Sequence, residues 1–286
     1  FLLQVFLTAL HFVLEFTIRN TMNLNIHQGL KRVWFGLVIS FVFLLVFTEV
    51  LPWGHQMDMW VSHALFNSTT GQFLYNHDTS WVEVVLHIWF KNALLLIPAY
   101  ALLQVLAGLW LKRRHGFNGI QQEVWRRWLA ALLAALLSML LVTYLKKWTN
   151  QACPWSLIDF AGQWPYTDLF AVKPWGESGM ACWPAGHASG GFILLSFAFI
   201  GGWPPSVWNP QLRLGAVKSP NFLSARAFVW YAVVLGMVLG FARVSQGAHF
   251  FSHQFWALWW VVLANMVFVK TGLIQSRWLA SLFSTK

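Results

Sequence analysis

The sequence predicts an all-α polytopic membrane protein, a six-transmembrane-helix bundle with an N-terminal interfacial helix. Of its 286 residues, 58% are hydrophobic and only 10% are charged, and 20 are tryptophans. Soluble domains carry about 25% charged residues, so this chain has too little polar surface to cover a globule in water. The composition also excludes disordered, collagen-like and disulfide-scaffold proteins. No low-complexity linker divides the chain, so we expect a single membrane domain over 1–286.

Six segments have the length and apolarity of membrane-spanning helices, which need about 20 residues to cross the hydrocarbon core. They are residues 34–53, 84–111, 128–145, 188–203, 225–242 and 249–269, so the predicted core covers 34–269. The fourth segment is short and rich in glycine. The apolar run within residues 1–20 is shorter still. Its polar side chains recur at helical spacing, which is typical of a helix lying along the membrane surface. A seventh span over 1–16 is the alternative.

Positive charges predict which face of the membrane each connection occupies. Lys and Arg collect in cytoplasmic loops, and here they crowd 112–127, 213–226 and both ends of the chain, whereas 54–83 has none. We therefore expect cytoplasmic termini, with connections 54–83 and 146–187 facing the periplasm of a bacterial inner membrane. The net charge of +10 follows from this topology, so we expect no nucleic-acid partner.

Polar residues mark four predicted span ends on the outer face. The third span ends at Lys146, the fourth begins after His187, the fifth ends at Arg243 and the sixth begins at His249. Cations on this face oppose the usual charge bias, so an anionic lipid headgroup is the simplest ligand. Lys and Arg bind phosphate oxygens, Arg as a bidentate fork. Two histidines supply a nucleophile and a proton donor at neutral pH.

Three short motifs contain these residues and resemble the signature of the type 2 phosphatidic acid phosphatase superfamily, which reads K-x6-R-P, P-S-G-H and S-R-x5-H-x3-D. The motifs here are Lys146, six residues, Cys153-Pro154; then Pro184-Ala185-Gly186-His187; then Ala242-Arg243, five residues, His249, three residues, His253. Their order and internal spacing match throughout. The resemblance spans the last five predicted helices.

The resemblance implies a metal-independent lipid phosphatase or phosphotransferase that needs no cofactor and forms a phosphohistidine. It makes His249 the nucleophile and His187 the proton donor. It also implies four phosphate-binding residues: Lys146, Arg243, Ala185 and Gly186. Family substrates include phosphatidic acid, phosphatidylglycerophosphate, polyprenyl diphosphates and lipid A, so the expected partners are a lipid phosphate and membrane lipids.

The departures from the family pattern raise two questions. Cys153 stands in place of the Arg that binds phosphate, and either Lys147 or Lys173 is a candidate to replace it. His253 stands in place of the Asp that orients the nucleophilic histidine. The candidates for that carboxylate lie in the same outer loop and are Asp159, Asp168 and Glu177. Alanines at 185 and 242 replace serines of the family pattern.

Two other functions remain open at this stage. His249 and His253 lie one helical turn apart, and with His187 they would make a three-histidine zinc site. A zinc site explains His253 but not Lys146 and Arg243, whose charges oppose a metal ion. A lipid-binding or transport protein that lost its chemistry is the other alternative, because the family Arg and Asp are missing.

The two cysteines are predicted to form a disulfide. Cys153 and Cys182 are the only cysteines, and both lie in the outer connection, which would face an oxidising compartment. A bridge would tie the first motif to the second. The alternative is a pair of free, buried thiols, because Cys packs well as a small apolar residue.

Overall fold

The computed structural model describes residues 26–75, 79–116, 119–174, 176, 180–201 and 225–271. Over these residues the chain forms seven α-helices and one short β-hairpin. The helices are α1 (Ile26–Leu45), α2 (Pro52–Leu65), α3 (Phe90–His115), α4 (Gly119–Thr149), α5 (Gly186–Phe192), α6 (Ala225–Val244) and α7 (Ser252–Lys270). Strands β1 (Phe66–Asn67) and β2 (Gln72–Phe73) pair antiparallel. The interfacial helix expected at 1–20 lies outside the described residues.

Within the described ranges, five helical segments are long and apolar enough to cross a membrane. They are Val33–Val50, Glu83–His115, Val124–Ser156, Ala225–Val244 and Ser252–Lys270. The fourth predicted span is a shorter apolar helix, Gly186–Phe199, which begins as α5 and continues as a 3-10 helix from Ile193. The prediction of an all-α polytopic membrane protein is confirmed.

The first span ends earlier than predicted. Helix α1 continues through a π-helical turn, Val46–Val50, and Leu51 is then extended. Pro52 opens α2 at the first helical position, where its missing N–H is no loss. The outer connection predicted at 54–83 therefore contains a helix and a hairpin.

The last span begins later than predicted, at Ser252 instead of His249. Asp58 of α2 caps this helix: its Oδ1 accepts from the Ser252 N–H at 2.8 Å and its Oδ2 from the Ser252 hydroxyl at 2.5 Å. A carboxylate is favourable at a helix N-terminus because it satisfies unpaired N–H groups and the helix dipole. His249 consequently lies in a turn before α7.

The connections at 54–83 and 146–187, which were predicted to face outwards, pack on each other and cover one end of the bundle. Phe66 and Phe73 of the hairpin contact Phe160 of the α4–α5 connection, and Phe250 joins the same buried cluster. Gly247 has a φ of +71°, and a Cβ there would lie 2.3 Å from the Phe73 ring, so only glycine fits this turn. This packing places both connections at the end of the bundle that holds His249.

Helices α5 and α6 approach each other closely through two glycines. A Cβ on Gly191 would lie 2.5 Å from the backbone nitrogen of Gly236, and a Cβ on Gly236 would overlap the Phe192 ring. Larger residues would force these helices apart. The contact joins the last turn of α5 to the middle of α6, and it thereby constrains His187, one turn before Gly191, relative to Arg243, two turns after Gly236.

Candidate active site

Lys146 and Gly186 bring the first and second motifs together. Lys146 lies in the last turn of α4, and a Cβ built on Gly186 would be 3.1 Å from its Nζ. Any side chain at position 186 would crowd the ammonium group. The Gly186 N–H makes no hydrogen bond to the described residues. A free amide donor and the Lys146 ammonium group therefore lie close together.

Arg243 is oriented by acceptors on one side of its guanidinium. Its Nη1 donates to Glu83 Oε2 at 2.7 Å and to Gln246 Oε1 at 2.8 Å, and its Cζ lies 5.5 Å from the Trp155 ring centre. Nε is buried and has no partner among the described residues. Nε and Nη2 form one edge of the planar group, and that edge matches two oxygens of a phosphate.

Glu83 and His87 are site residues that sequence reasoning missed. They lie one turn apart in a π-helical segment, Glu83–Trp89, which precedes α3. His87 Nδ1 contacts Glu83 Oε1, and the His87 ring lies edge-on to the ring of His187, with centroids 4.2 Å apart. The detectable signal was an ionisable pair within an apolar segment, which marks a functional site in membrane proteins.

His249 is buried and neutral. The pKa of its imidazole is held well below its ordinary value by burial, and further by four nearby groups: Lys146, His253, His187 and Arg243. Proximity to these four groups places the nucleophile proposed from the sequence beside the other motif residues. A neutral imidazole has a free nitrogen lone pair, which nucleophilic attack requires.

The neighbour of His249 Nδ1 is a thiol and not a carboxylate. Cys182 Sγ lies 3.6 Å from Nδ1 and donates to the carbonyl oxygen of Ala248 at 3.1 Å. Burial raises the pKa of the Cys182 thiol, so this neighbour is uncharged. The sequence gave no signal for this contact, because Cys182 belongs to none of the three motifs.

The structure corrects the expected orienting carboxylates. Asp159 and Asp168 are exposed and contact neither His249 nor His253, whereas Glu177 lies outside the described residues. The reason is that the loop turns these side chains towards solvent while its apolar residues pack inward.

His253 has a bridging position instead of an orienting one. One ring nitrogen, Nδ1, lies 3.2 Å from the Cys182 carbonyl oxygen, and its own carbonyl oxygen accepts from the Ala185 N–H at 3.1 Å. The Ala185 amide is therefore engaged and is not available to phosphate, contrary to the expectation. Of the two predicted amide donors, Gly186 remains.

Neither lysine proposed to replace the family Arg points to the site. Lys147 is exposed on α4. Lys173 donates within its own loop, to Gln151 Oε1 at 2.6 Å, to Asp168 O at 2.6 Å and to Thr167 Oγ1 at 3.3 Å. Its ammonium group thus orders the loop.

The predicted disulfide is absent, since Cys153 and Cys182 are both free. The two thiols are nevertheless neighbours. Cys182 is fully buried, and its sulfur is turned towards Ala248 and His249, where it has hydrogen-bonding partners of its own.

One group of side chains in the described part of the chain has the arrangement of metal ligands. It consists of Cys182, His249 and His253, whose ligand atoms all lie within 4.8 Å of one another. The three-histidine zinc site considered from the sequence is therefore wrong for one of its three ligands: Cys182, and not His187, lies with His249 and His253. His187 is paired with His87 instead.

Comparison with protein families matches residues 127–272, slightly more than half of the chain, to the PAP2 superfamily. The chain belongs to the PAP2 superfamily. The match contains all three motifs, so the resemblance to type 2 phosphatidic acid phosphatases is confirmed. Comparisons with curated proteins and with solved structures gave no match.

PAP2 proteins generally hydrolyse phosphate esters, often those of lipids. The matched region begins at Arg127, so Glu83 and His87 precede it. The site of this PAP2 protein therefore combines motif residues with a carboxylate–histidine pair from a helix that the family match does not include.

Proposed function

We propose that this PAP2 protein is a membrane phosphatase that removes phosphate from a lipid phosphate or diphosphate through a phosphohistidine. One observation carries the proposal. The Arg243 Nε, which has no hydrogen-bond partner among the described residues, belongs to a guanidinium edge near the Lys146 ammonium and the neutral imidazole of His249. An anion that accepts from both cations would be held beside a nucleophile.

The first half-reaction would use four residues. His249 Nε2 attacks phosphorus, a P–N bond forms, and the bond from phosphorus to the leaving oxygen breaks. His187 acts in its protonated form, which the bound phosphate anion favours, and gives its proton to that oxygen. Lys146 and Arg243 stabilise the negative charge on the equatorial oxygens, which is where electrostatic catalysis of phosphoryl transfer acts.

The second half-reaction would regenerate the enzyme. Water loses a proton to His187 and attacks phosphorus, and the P–N bond breaks to release inorganic phosphate. Cys182 keeps His249 in the reactive tautomer, because its sulfur accepts from Nδ1–H and leaves the lone pair on Nε2.

A lipid substrate follows from where the cations lie. Lys146 and Arg243 each occupy the last turn of an apolar helix that is long enough to span the membrane. A phosphate bound between them would lie at the depth of lipid headgroups, with its apolar portion among the helices. The candidate classes are lipid A, polyprenyl diphosphates and glycerophospholipids.

Phosphate release by purified protein tests the proposal. The assay would use phosphatidic acid, phosphatidylglycerophosphate, a polyprenyl diphosphate and lipid A in mixed micelles, with and without EDTA. We expect release from at least one class, persistence in EDTA, and no release by His249→Ala. Binding without release would identify a lipid-binding homologue, and transfer to a second lipid would identify a phosphotransferase. Activity that EDTA abolishes and zinc restores would contradict the phosphohistidine route.

The proposed location of the site, on the periplasmic face of a bacterial inner membrane, has its own test. Gln163 lies in the outer loop and Arg114 at the opposite end of α3, and both are exposed. A membrane-impermeant thiol reagent applied to spheroplasts should label a cysteine at 163 but not one at 114, in a background lacking Cys153. The reverse labelling would place the site on the cytoplasmic face.

A further inference from the structure

Three buried side chains beside the proposed nucleophile form a soft ligand set. Cys182, His249 and His253 are each at most 5% exposed, and their ligand atoms lie within 4.8 Å of one another. Thiolate and imidazole together are the ligands that zinc prefers in proteins. Among the described residues, this group of ligands contains no carboxylate and no exposed side chain.

One ligand–ligand distance matches the edge of a tetrahedral zinc site. Zinc–sulfur and zinc–nitrogen bonds of about 2.3 and 2.05 Å, at a tetrahedral angle, separate the two ligand atoms by about 3.5 Å. The observed separation between Cys182 Sγ and His249 Nδ1 is 3.6 Å. The protein therefore already holds one edge of the tetrahedron at the required length.

The surroundings of His253 resemble those of a metal-bound histidine. Histidine ligands usually donate their second ring N–H to a carbonyl oxygen or a carboxylate, which fixes the ring orientation. His253 Nδ1 lies 3.2 Å from the Cys182 carbonyl oxygen, which leaves Nε2 as the nitrogen for a metal. The same residue thus supplies the sulfur ligand and the backbone oxygen that orients a nitrogen ligand.

Cys153 is available for the fourth position. Its thiol neighbours that of Cys182, and it is only half-buried, so it can move towards a bound ion. Two thiolates would neutralise both charges of a divalent ion, which reduces the electrostatic repulsion between the ion and the Lys146 ammonium group. Both positions at which this chain departs from the family's charged residues, 153 and 253, would then be ligand positions.

We propose that this PAP2 protein binds one zinc ion through Cys182, His249 and His253, with Cys153 as the fourth ligand, and that the ion inhibits it. Binding replaces the S–H bonds of the thiols by Zn–S bonds and releases the protons to solvent. The zinc ion also takes the lone pair of His249 Nδ1, so the ring proton must lie on Nε2. His249 then has no lone pair for attack on phosphorus.

The binding test is independent of phosphatase activity. Full-length protein, stripped with a chelator in detergent, would be titrated with zinc against a chromophoric chelator. We expect one ion per chain, and a loss of affinity of about 100-fold or more in Cys182→Ser and His253→Ala, because even outer partners of a metal site are worth 10–100-fold. His187→Ala is the matched histidine control and should bind as the unaltered chain does.

The variants must be shown to fold before their affinities are compared. A monodisperse elution profile and an unfolding midpoint close to that of the unaltered protein identify usable variants. Protection of Cys182 from alkylation by zinc, in the unaltered chain, is a second measure that needs no substitution. Failure of the unaltered chain to bind zinc, or loss of binding in His187→Ala with retention in Cys182→Ser, would overturn the proposed site.

The inhibition rests on the proposed phosphatase function and is measured separately. The ratio of phosphate release with and without zinc is taken within each variant, so differences in basal rate cancel. We expect zinc to suppress release in the unaltered chain and to have at least tenfold less effect in Cys182→Ser. Zinc binding with undiminished phosphate release would refute the inhibition. If the protein binds zinc but never releases phosphate, the metal site stands and the proposed phosphatase function is refuted.

Discussion

The two halves of the site are built from opposite kinds of interaction. Around Arg243, in what we call the charged half, charged and polar groups form a connected network in which Glu83 accepts hydrogen bonds from both Arg243 and Gln246. Around His249, in what we call the neutral half, a thiol lies 3.6 Å from Nδ1 and a second imidazole ring has its centroid 6.0 Å away. An anion needs fixed hydrogen-bond donors, whereas a nucleophilic histidine needs an unprotonated nitrogen. The separation of the two halves therefore suits phosphoryl transfer to a neutral histidine.

The comparison also shows where this chain departs from its family. The family cations at 146 and 243 and the two histidines are retained, whereas the replaced Arg and Asp, now Cys153 and His253, both border the neutral half. The proposed phosphate-binding set has therefore kept two of the family's three cations, Lys146 and Arg243, and lost the third at Cys153. The group expected to orient the proposed nucleophile has changed as well, from Asp to His253.

The largest expected effect comes from removing the proposed nucleophile of the neutral half. His249→Ala should reduce phosphate release to background, because no P–N bond can form. His115, an exposed histidine at the far end of α3, provides the matched control, and His115→Ala should keep the activity of the unaltered chain. Near-full activity of His249→Ala would refute the assignment.

The next effect concerns the proposed proton donor. His187→Ala should slow turnover by roughly 10²–10⁴-fold for lipid substrates with poor leaving groups, as losses of general acids do. The loss should be smaller for an activated aryl phosphate, whose leaving group needs no proton. Equal losses for both substrates would show that His187 acts in another way.

A third variant tests the charged half through stability. Glu83→Gln leaves Arg243 without its anionic partner, and breaking a buried ion pair costs about 3–5 kcal/mol. Thermal unfolding in detergent should show a lowered midpoint, and the KM for the phosphate substrate should rise. Glu49→Gln is the matched control, because Glu49 contacts Thr48 and not Arg243. Equal shifts in both variants would contradict a special role of the Glu83–Arg243 pair.

The smallest effect concerns the cap that holds the neutral half in place. Burial raises the pKa of Asp58 from 3.8 to about 7. Between these values the folded protein holds a proton that the unfolded chain has lost, so stability falls as the pH rises through this window and is level above it. Asp58→Asn should remove this slope, measured as unfolding midpoints between about pH 4 and about pH 8.

The exposed Asp159 is the control for that measurement. Asp159→Asn should keep the pH slope of the unaltered chain, because its carboxylate is in solvent. A slope that survives in Asp58→Asn would mean that another group holds the proton.

Hydropathy and motif spacing predicted the membrane helices and the positions of Lys146, His187, Arg243 and His249. These features are local, because apolar length and internal spacing can be read along a single segment. The contacts that these residues make with distant segments could not be predicted. His87 and Arg243 are 156 residues apart, and nothing in either segment indicates that they meet.

Errors of the sequence predictions have the same origin. Cys182 was expected to bond Cys153, yet its sulfur is turned to Ala248 and His249. Asp58 was not recognised as the cap of α7 because it lies 194 residues before Ser252. The direction in which a side chain points depends on packing between elements, and spacing alone does not encode it.

Trapping the covalent intermediate tests the central claim most directly. Protein mixed with a labelled phosphate substrate would be quenched in base, where phosphohistidine survives, then digested and examined by mass spectrometry. We predict a phosphoryl group on the peptide that contains His249, none in His249→Ala, and accumulation in His187→Ala with an activated substrate. Phosphate release without any phosphoryl peptide, or a phosphoryl group on a different residue, would contradict the account.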